Sequence, residues 1–324
     1  MARPLRVERA GGWYHLTARG NERRAIYRSD RDRVHFLELI EEAVETYRWR
    51  MHGYVLMDNH YHLLVQTPEP NLSRGMQWLQ LSYAAWFNRR HERCGHLYQG
   101  RFTAVVAEPD GWAVSLSRYV HLNPVRVKRL GMGKKARRMQ RAGVDEAPDP
   151  AEVKQRLAVL RRYRWSSYRA YIGRVKAPEW LDCEGVLRRV GPGSTATRRR
   201  VYREQMEKEV REGLPERPWG RLVGQVVLGG VEFVRGIQRM LKGEGKEQPS
   251  VRGLRPRASW EGVVKVVEEL KGERWEEFRD RQGDWGRDLA LWLGRLETGM
   301  KLNELGNRVG GAGLPDGELG RAAF

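Results

Sequence analysis

The feature that most restricts the fold of this chain is the alternation of strand-like and helix-like segments within its first 130 residues. Apolar residues at every second position or in short unbroken runs predict strands, whereas apolar residues three and four positions apart predict amphipathic helices. The predicted segments are, in chain order, strand 12–20, helix 29–47, strands 49–58 and 61–67, helix 71–91, strand 101–108 and helix 109–126. This order predicts an α+β fold with a ferredoxin-like antiparallel four-stranded sheet and helices on one of its faces.

Changes in composition divide the rest of the chain. Residues 127–150 are rich in Gly, Ala and Arg, and the stretch "GEGKEQPSVRGLRPR" (243–257) resembles a second linker. The other segments beyond the sheet are mainly helical in their periodicity. We therefore predict a sheet domain over 1–130, a basic linker and helical extension over 131–242, and a helical C-terminal segment over 258–324.

The chain is strongly basic, with 60 Lys and Arg residues against 41 Asp and Glu residues and a formal net charge of +19. A field of this size attracts polyanions, and the prevalence of Arg suits bidentate contacts with phosphate groups. Nucleic acid is the predicted partner, with a codon bias toward Arg as the alternative explanation. No apolar run approaches the roughly 20 residues of a spanning helix, so no membrane partner is expected. Without a signal peptide or a disulfide framework, since the only cysteines are Cys94 and Cys183, the expected location is cytoplasmic and nucleoid-associated.

Two histidines stand one residue apart in "YVLMDNHYHLLVQTPEP" (54–70). Because residues i and i+2 of a strand point the same way, His60 and His62 share one face, and Tyr61 points to the other. Two neighbouring neutral imidazoles can hold a divalent metal ion. The alternative is a pair of polar residues on a solvated strand face, but the apolar "LLV" that follows favours a functional reason for placing polar groups there.

A second motif, "SRYVHLNPVR" (117–126), lies on the last predicted helix of the sheet domain. Tyr119 and Asn123 are four residues apart, so they lie on one helix face. A phenol hydroxyl can attack phosphorus, and an amide oxygen one turn away can complete a metal shell. Without a metal nearby, the same two residues would be a core tyrosine and a helix-end residue before proline.

Taken together, these motifs resemble a known family. The pair in "DNHYHLLVQ" and the tyrosine helix "SRYVHLNPVR" occur in order with "LYQGRF" (97–102) and "RWSSYRAYIG" (164–173). Over about residues 3–190 the chain resembles the single-tyrosine HUH transposases of IS200/IS605 elements, and most of all the branch of REP-associated tyrosine transposases. Several separated motifs at matching distances make the resemblance specific.

The resemblance implies a transposase, that is, a metal-dependent single-strand DNA endonuclease and strand-transferase acting on hairpins of palindromic repeats. His60 and His62 match the pair that holds Mg²⁺ or Mn²⁺, and Tyr119 matches the nucleophile that forms a 5′-phosphotyrosine. Asn123 matches the third ligand position, which is a Gln in element-borne relatives. His121 competes for that role, although it should point away from the face of Tyr119. The family implies a monomer or a homodimer.

Two other functions stay open on the sequence. The first is a DNA-hairpin-binding regulator with little or no catalysis. The intact histidine pair and tyrosine favour an enzyme over this regulator. The second is an RNA-binding protein, since ferredoxin-like sheets also bind RNA, but the strands lack the aromatic signature of such domains.

Three further segments carry weaker signals. The cluster "HERCGH" (91–96) could be half of a zinc site, although no second half is visible. Basic runs at 134–141 and 198–200 predict phosphate contacts. Residues 287–311 resemble the helix-turn-helix region of the replication initiator DnaA, while the residues that follow, "AGLPDGELGRAAF", depart from its recognition helix.

Overall fold

The computed structural model describes residues 6–127, 130, 149–212, 218–243, 258–298, 300 and 302–309. The chain divides into two compact units, Met1–Leu254 and Arg255–Phe324. Each unit is built around its own apolar core. The predicted division of the first unit at residue 130 stays a prediction.

Strands and helices alternate in the first part of unit 1, and helices dominate the rest. The elements are β1 (Gly12–Arg19), α1 (Asp30–Tyr47), β2 (Arg50–Met57), β3 (His60–Thr67), α2 (Leu72–Arg90), β4 (Thr103–Ala107), α3 (Pro109–His121), α4 (Pro150–Arg162), α5 (Tyr168–Tyr171), α6 (Glu184–Leu187), α7 (Thr195–Glu212), a 3-10 helix (Pro218–Arg221), β5 (Val227–Leu228) and α8 (Val231–Gly243).

The sheet has the strand order β2-β3-β1-β4-β5. The first four strands are antiparallel, with the order of a ferredoxin-like layer, and β2 and β3 form a hairpin in which Met57 pairs with His60 across the turn. These findings confirm the predicted α+β class and the four-stranded antiparallel sheet. They also add a short fifth strand, β5, which pairs in parallel with β4 through Val106 and Ala107.

Both faces of the sheet are covered, so the prediction of helices on one face was wrong. On one face, Tyr61 of β3 packs against Phe36 of α1, with ring centroids 4.9 Å apart. On the other face, the ring of His62 of β3 stands edge-on to the ring of Tyr119 of α3, with ring centroids 5.6 Å apart. Tyr61 and the run Leu63–Val65 are buried, as expected of a strand that is covered on both faces and therefore has no solvated polar face.

Unit 2 is helical, as predicted. It contains α9 (Trp260–Lys271), α10 (Trp275–Phe278), α11 (Trp285–Leu293), a π-helix (Gly294–Thr298) and α12 (Leu302–Gly306). Its core is formed by buried apolar residues, among them Trp260, Val267, Phe278, Leu291 and Leu305. Residues 310–324, where the recognition helix of a DnaA-like motif would lie, fall outside the described residues, so that resemblance stays a prediction.

Among the described residues, no helix combines the length and the apolar character that crossing a lipid bilayer requires.

Candidate functional site

A cavity of about 550 Å³ opens where β3 passes beneath α3. Its lining brings together all four residues that the sequence singled out, namely His60, His62, Tyr119 and Asn123. Arg126 lines the same cavity. Residues separated by about 60 positions in the chain therefore meet at one place because α3 packs across the histidine face of the sheet.

The two histidines lie on one face of β3, as strand alternation requires. Their ring centroids are 5.1 Å apart. The Nδ1 atom of His60 donates a hydrogen bond to Oδ1 of Asn59 at 2.8 Å, which directs the lone pair of Nε2 outward. Burial lowers the pKa of His60 to about 4, so its imidazole is neutral at physiological pH. A neutral imidazole is the form that binds a metal ion.

His15 of β1 is a member of this cluster that the sequence did not reveal. Its Nε2 atom lies 2.9 Å from Nδ1 of His62, in a buried hydrogen bond. Burial lowers the pKa of the His15 imidazole to about 3. If His62 donates from Nδ1, Nε2 is its ligand atom, an arrangement by which a second residue commonly orients a metal-binding histidine. Only the register of β1 against β3 places His15 there, and sequence periodicity does not give register.

Tyr119 lies on α3 with 6% of its surface exposed. Its ring has four neighbours, one of which is His15, whose ring stands edge-on to it with centroids 5.7 Å apart. It stands edge-on to His62, it lies 4.9 Å from the ring of Trp219, and the guanidinium carbon of Arg126 lies 4.9 Å from its centroid. Trp219 belongs to the 3-10 helix after α7, far from the motifs in sequence. The hydroxyl-bearing ring is thus held in a defined position beside the histidines.

Tyr61, the residue between the two histidines, does not reach this cavity. It is fully buried on the opposite face of the sheet, where its hydroxyl accepts a hydrogen bond from Nε2 of Gln80 at 3.0 Å. Strand alternation predicted this orientation.

Asn123 follows the end of α3, where Pro124 prevents the helix from continuing. Its Nδ2 atom donates hydrogen bonds to the carbonyl oxygens of Tyr119 at 2.8 Å and Val120 at 3.2 Å. These bonds fix the amide and turn Oδ1 away from the helix. Within the described residues, no three or more His, Cys, Asp or Glu side chains are grouped so as to hold a metal ion. Two imidazoles and the Asn123 amide oxygen are therefore the candidate donors.

His121 is not at the cavity. Its Nδ1 atom lies 2.7 Å from the Tyr202 hydroxyl, and its Nε2 atom lies 2.7 Å from the hydroxyl of Ser167. Burial lowers the pKa of this imidazole to about 3. The side chain therefore joins α3 to α7 and to the segment before α5. It is a structural residue in a satisfied buried network and not a competitor for the third ligand position.

We expect this network of buried hydrogen bonds to contribute to the free energy of unfolding. Tyr202→Phe removes a hydroxyl that bonds both His121 and Ser117. We expect the free energy of unfolding to fall by about 1–3 kcal/mol, because buried partners lose a hydrogen bond. Urea denaturation followed by circular dichroism measures it.

The matched control is Tyr168→Phe. The hydroxyl of Tyr168 is buried and has no hydrogen-bond partner among the described residues, so its removal breaks no bond. Its free energy of unfolding should stay within about 0.5 kcal/mol of the parent protein. Equal losses in the two variants would show that the His121 network does not stabilise the packing of α3.

The HERCGH segment and the two basic runs lie outside the cavity or outside the described residues. His91 of "HERCGH" donates a hydrogen bond from Nε2 to the buried Asp32 carboxylate at 2.9 Å, which accounts for it without zinc, and Cys94 is exposed. In the basic run 198–200, Arg198 and Arg200 lie near Glu184 and Glu204, at 3.6 Å and 3.9 Å. The run 134–141 lies outside the described residues.

Comparison with known proteins gives two findings. Residues 9–123 match the family model described as "Transposase IS200 like". A solved structure, "Structure of the REP associates tyrosine transposase bound to a REP hairpin", shares 14% identity with a TM-score of 0.38, and the match covers 55% of this chain and 89% of that one. No curated protein matches the chain. The matched range contains the whole candidate cavity except Arg126 and Val127.

Proposed function

Since residues 9–123 match the family model of IS200-like transposases, we propose that this protein is a metal-dependent single-strand DNA endonuclease and strand-transferase acting on palindromic hairpin DNA. The observation that carries the proposal is the meeting of His60, His62 and Tyr119 in one open cavity.

The residues at the cavity fit a hard divalent cation. His60 is neutral, His62 is oriented by His15, and Asn123 offers an amide oxygen. Bound Mg²⁺ or Mn²⁺ would polarise the scissile phosphate and offset its charge. Imidazole is an unusual ligand for magnesium, which prefers oxygen, so phosphate oxygens and water would complete the shell.

Tyr119 is the nucleophile in this proposal. Its phenolic oxygen forms a bond to phosphorus while the bond from phosphorus to the 3′ oxygen breaks. The phenol proton passes to solvent water, and the departing 3′ oxygen takes a proton from water. The products are a 5′-phosphotyrosine and a free 3′-OH, so one phosphodiester is exchanged for another and the reverse attack can rejoin DNA without an external energy source.

The charge of the chain supports DNA as the substrate. The formal net charge is +19, and Arg19, Arg101 and Arg126 all line the cavity. Arg19 is oriented by a hydrogen bond of 3.0 Å to Gln99. Cations at the mouth of a cavity focus the field on an approaching backbone and raise the rate of association.

The proposal predicts a covalent intermediate on Tyr119. Incubation with a 3′-labelled hairpin oligonucleotide should transfer the label to the protein, because the 3′ fragment retains the phosphate bonded to tyrosine. A 5′-labelled oligonucleotide should release its label as a fragment with a free 3′-OH. Gel electrophoresis under denaturing conditions detects the adduct, and mass spectrometry assigns it to a peptide.

The outcomes separate the alternatives. An adduct on Tyr61, or cleavage without any adduct, would replace the tyrosine mechanism with another. Tight hairpin binding with neither cleavage nor adduct would favour the regulator without catalysis.

A further inference from the structure

Arg126 is a cavity residue to which the proposed mechanism gives no chemical role. Only 9% of its surface is exposed, and its guanidinium carbon lies 4.9 Å from the centroid of the Tyr119 ring. It shares the cavity with His60 and His62. A guanidinium keeps its positive charge at any pH in a protein, so a permanent cation stands beside the hydroxyl-bearing ring.

The backbone after α3 fixes this placement. The helix ends before Pro124, and the amide of Arg126 donates to the carbonyl oxygens of Leu122 and Asn123, both at 3.1 Å. The turn folds the chain back, so Arg126 comes to lie against the ring of Tyr119 and beside Asn123. One short segment thus supplies an aromatic hydroxyl, an amide oxygen and a cation to the same cavity.

The cavity needs a positive charge during the reaction. Attack by a phenol that has lost its proton on a phosphodiester places two negative charges on the reacting atoms, one from each partner. A divalent ion at the proposed ligands would offset the charge of the phosphate, and the guanidinium of Arg126, 4.9 Å from the centroid of the Tyr119 ring, adds a fixed positive charge beside the phenol. Preorganised positive groups at such a place are worth more than in water, because they need no reorganisation.

We propose that Arg126 is a further catalytic residue, whose guanidinium stabilises the negative charge that develops on the phenolic oxygen and the phosphorus as Tyr119 attacks. This inference rests on the proposed function of Tyr119. Arg126 gives up no proton, so the balance of the step is unchanged. The bond from the phenolic oxygen to phosphorus forms, and the bond to the 3′ oxygen breaks.

A purely structural role is the competing explanation. Glu209 lies close enough for the charge of Arg126 to lower the pKa of its carboxyl, against the stronger effect of burial, which raises it. Glu209 is also bound by Arg118 at 3.1 Å. Arg126 could therefore help to pack α3 against α7 without taking part in the chemistry.

The experiment compares two substrates in each variant. One is the ordinary hairpin oligonucleotide, and the other carries a methylphosphonate, which has no negative charge, at the scissile linkage. With Arg126→Ala we expect cleavage of the ordinary substrate to fall by about 100-fold, the loss seen when one preorganised donor is removed. The loss on the methylphosphonate should be under about 10-fold, because less charge then needs stabilisation.

The ratio of the two rates decides between the explanations. It does not depend on how much of a preparation is folded, so poor folding of Arg126→Ala cannot imitate the result. Equal losses on both substrates would assign Arg126 to structure and overturn the proposal. So would an Arg126→Ala rate equal to that of the parent protein.

Two further measurements complete the test. If no variant cleaves the methylphosphonate, Arg126→Lys and Arg126→Gln are compared on the ordinary substrate. A Lys variant at least about 10-fold faster supports the role of charge, and equal rates overturn it. If the parent protein forms no adduct on Tyr119, the proposed function fails first, and that result is distinct from failure of this inference.

Discussion

Tyr119→Phe is expected to abolish cleavage of a hairpin oligonucleotide while leaving its affinity within a few-fold of the parent protein. The phenyl ring keeps its contacts with His62, Trp219 and Arg126, but the oxygen proposed to attack phosphorus is gone. The rate should fall by at least about 10⁴-fold, since removal of the nucleophile of a covalent enzyme costs that much or more. Single-turnover cleavage and fluorescence anisotropy measure the two quantities.

Binding by this variant should weaken steeply with salt, because phosphate contacts release counterions from the DNA. The control is Tyr168→Phe, which removes a phenol hydroxyl with no partner among the described residues, and it should cleave as the parent does. A large loss of affinity in Tyr119→Phe would show that Tyr119 is a structural residue. Cleavage that persists in it would identify a different nucleophile.

The second large effect is expected from loss of the metal. EDTA should stop nicking by the parent protein, and added Mg²⁺ or Mn²⁺ should restore it. The double variant His60→Ala/His62→Ala should stay inactive at any metal concentration, with a loss of at least about 1,000-fold, because both proposed imidazole ligands are removed. Nicking that continues unchanged in EDTA or in this variant would refute the metal assignment.

The matched control for this variant is Cys94→Ala/His96→Ala. It also removes two potential metal ligands, both of them exposed and both from the rival "HERCGH" segment. It should nick DNA at the parent rate. Loss of nicking in this control would instead point to the zinc hypothesis for residues 91–96.

The local parts of the site could be predicted from the sequence. Alternation along β3 places His60 and His62 together and Tyr61 on the other face. The N-terminus of α1 was predicted within one residue, because Ser29 and Asp32 form a capping box that fixes it. The spacing of Tyr119 and Asn123 likewise predicted that they lie together. All of these depend on contacts within a few positions of the chain.

The distant parts could not be predicted. His15 reaches His62 through strand register, and Trp219 reaches Tyr119 from a 3-10 helix about 100 positions later in the chain. The strand β5 has two residues, which is too short for any periodicity to show. Contacts between residues so far apart in the chain depend on the packing of the whole unit, and they cannot be predicted from the pattern of a short run of residues.

The polar network around His121 shows that residues beyond the family match hold α3 in place. The family match ends at residue 123, and it contains every side chain proposed to act on DNA except Arg126. Yet α3 is anchored by Ser167 and Tyr202, and the ring of its tyrosine rests on Trp219. The side chains proposed to react with DNA thus lie almost wholly within residues 9–123, whereas the residues that hold α3 in place lie after them. A fragment that ends at residue 123 would lose these contacts, and substitution of Ser167, Tyr202 or Trp219 is expected to displace the Tyr119 ring although none of the three lines the cavity.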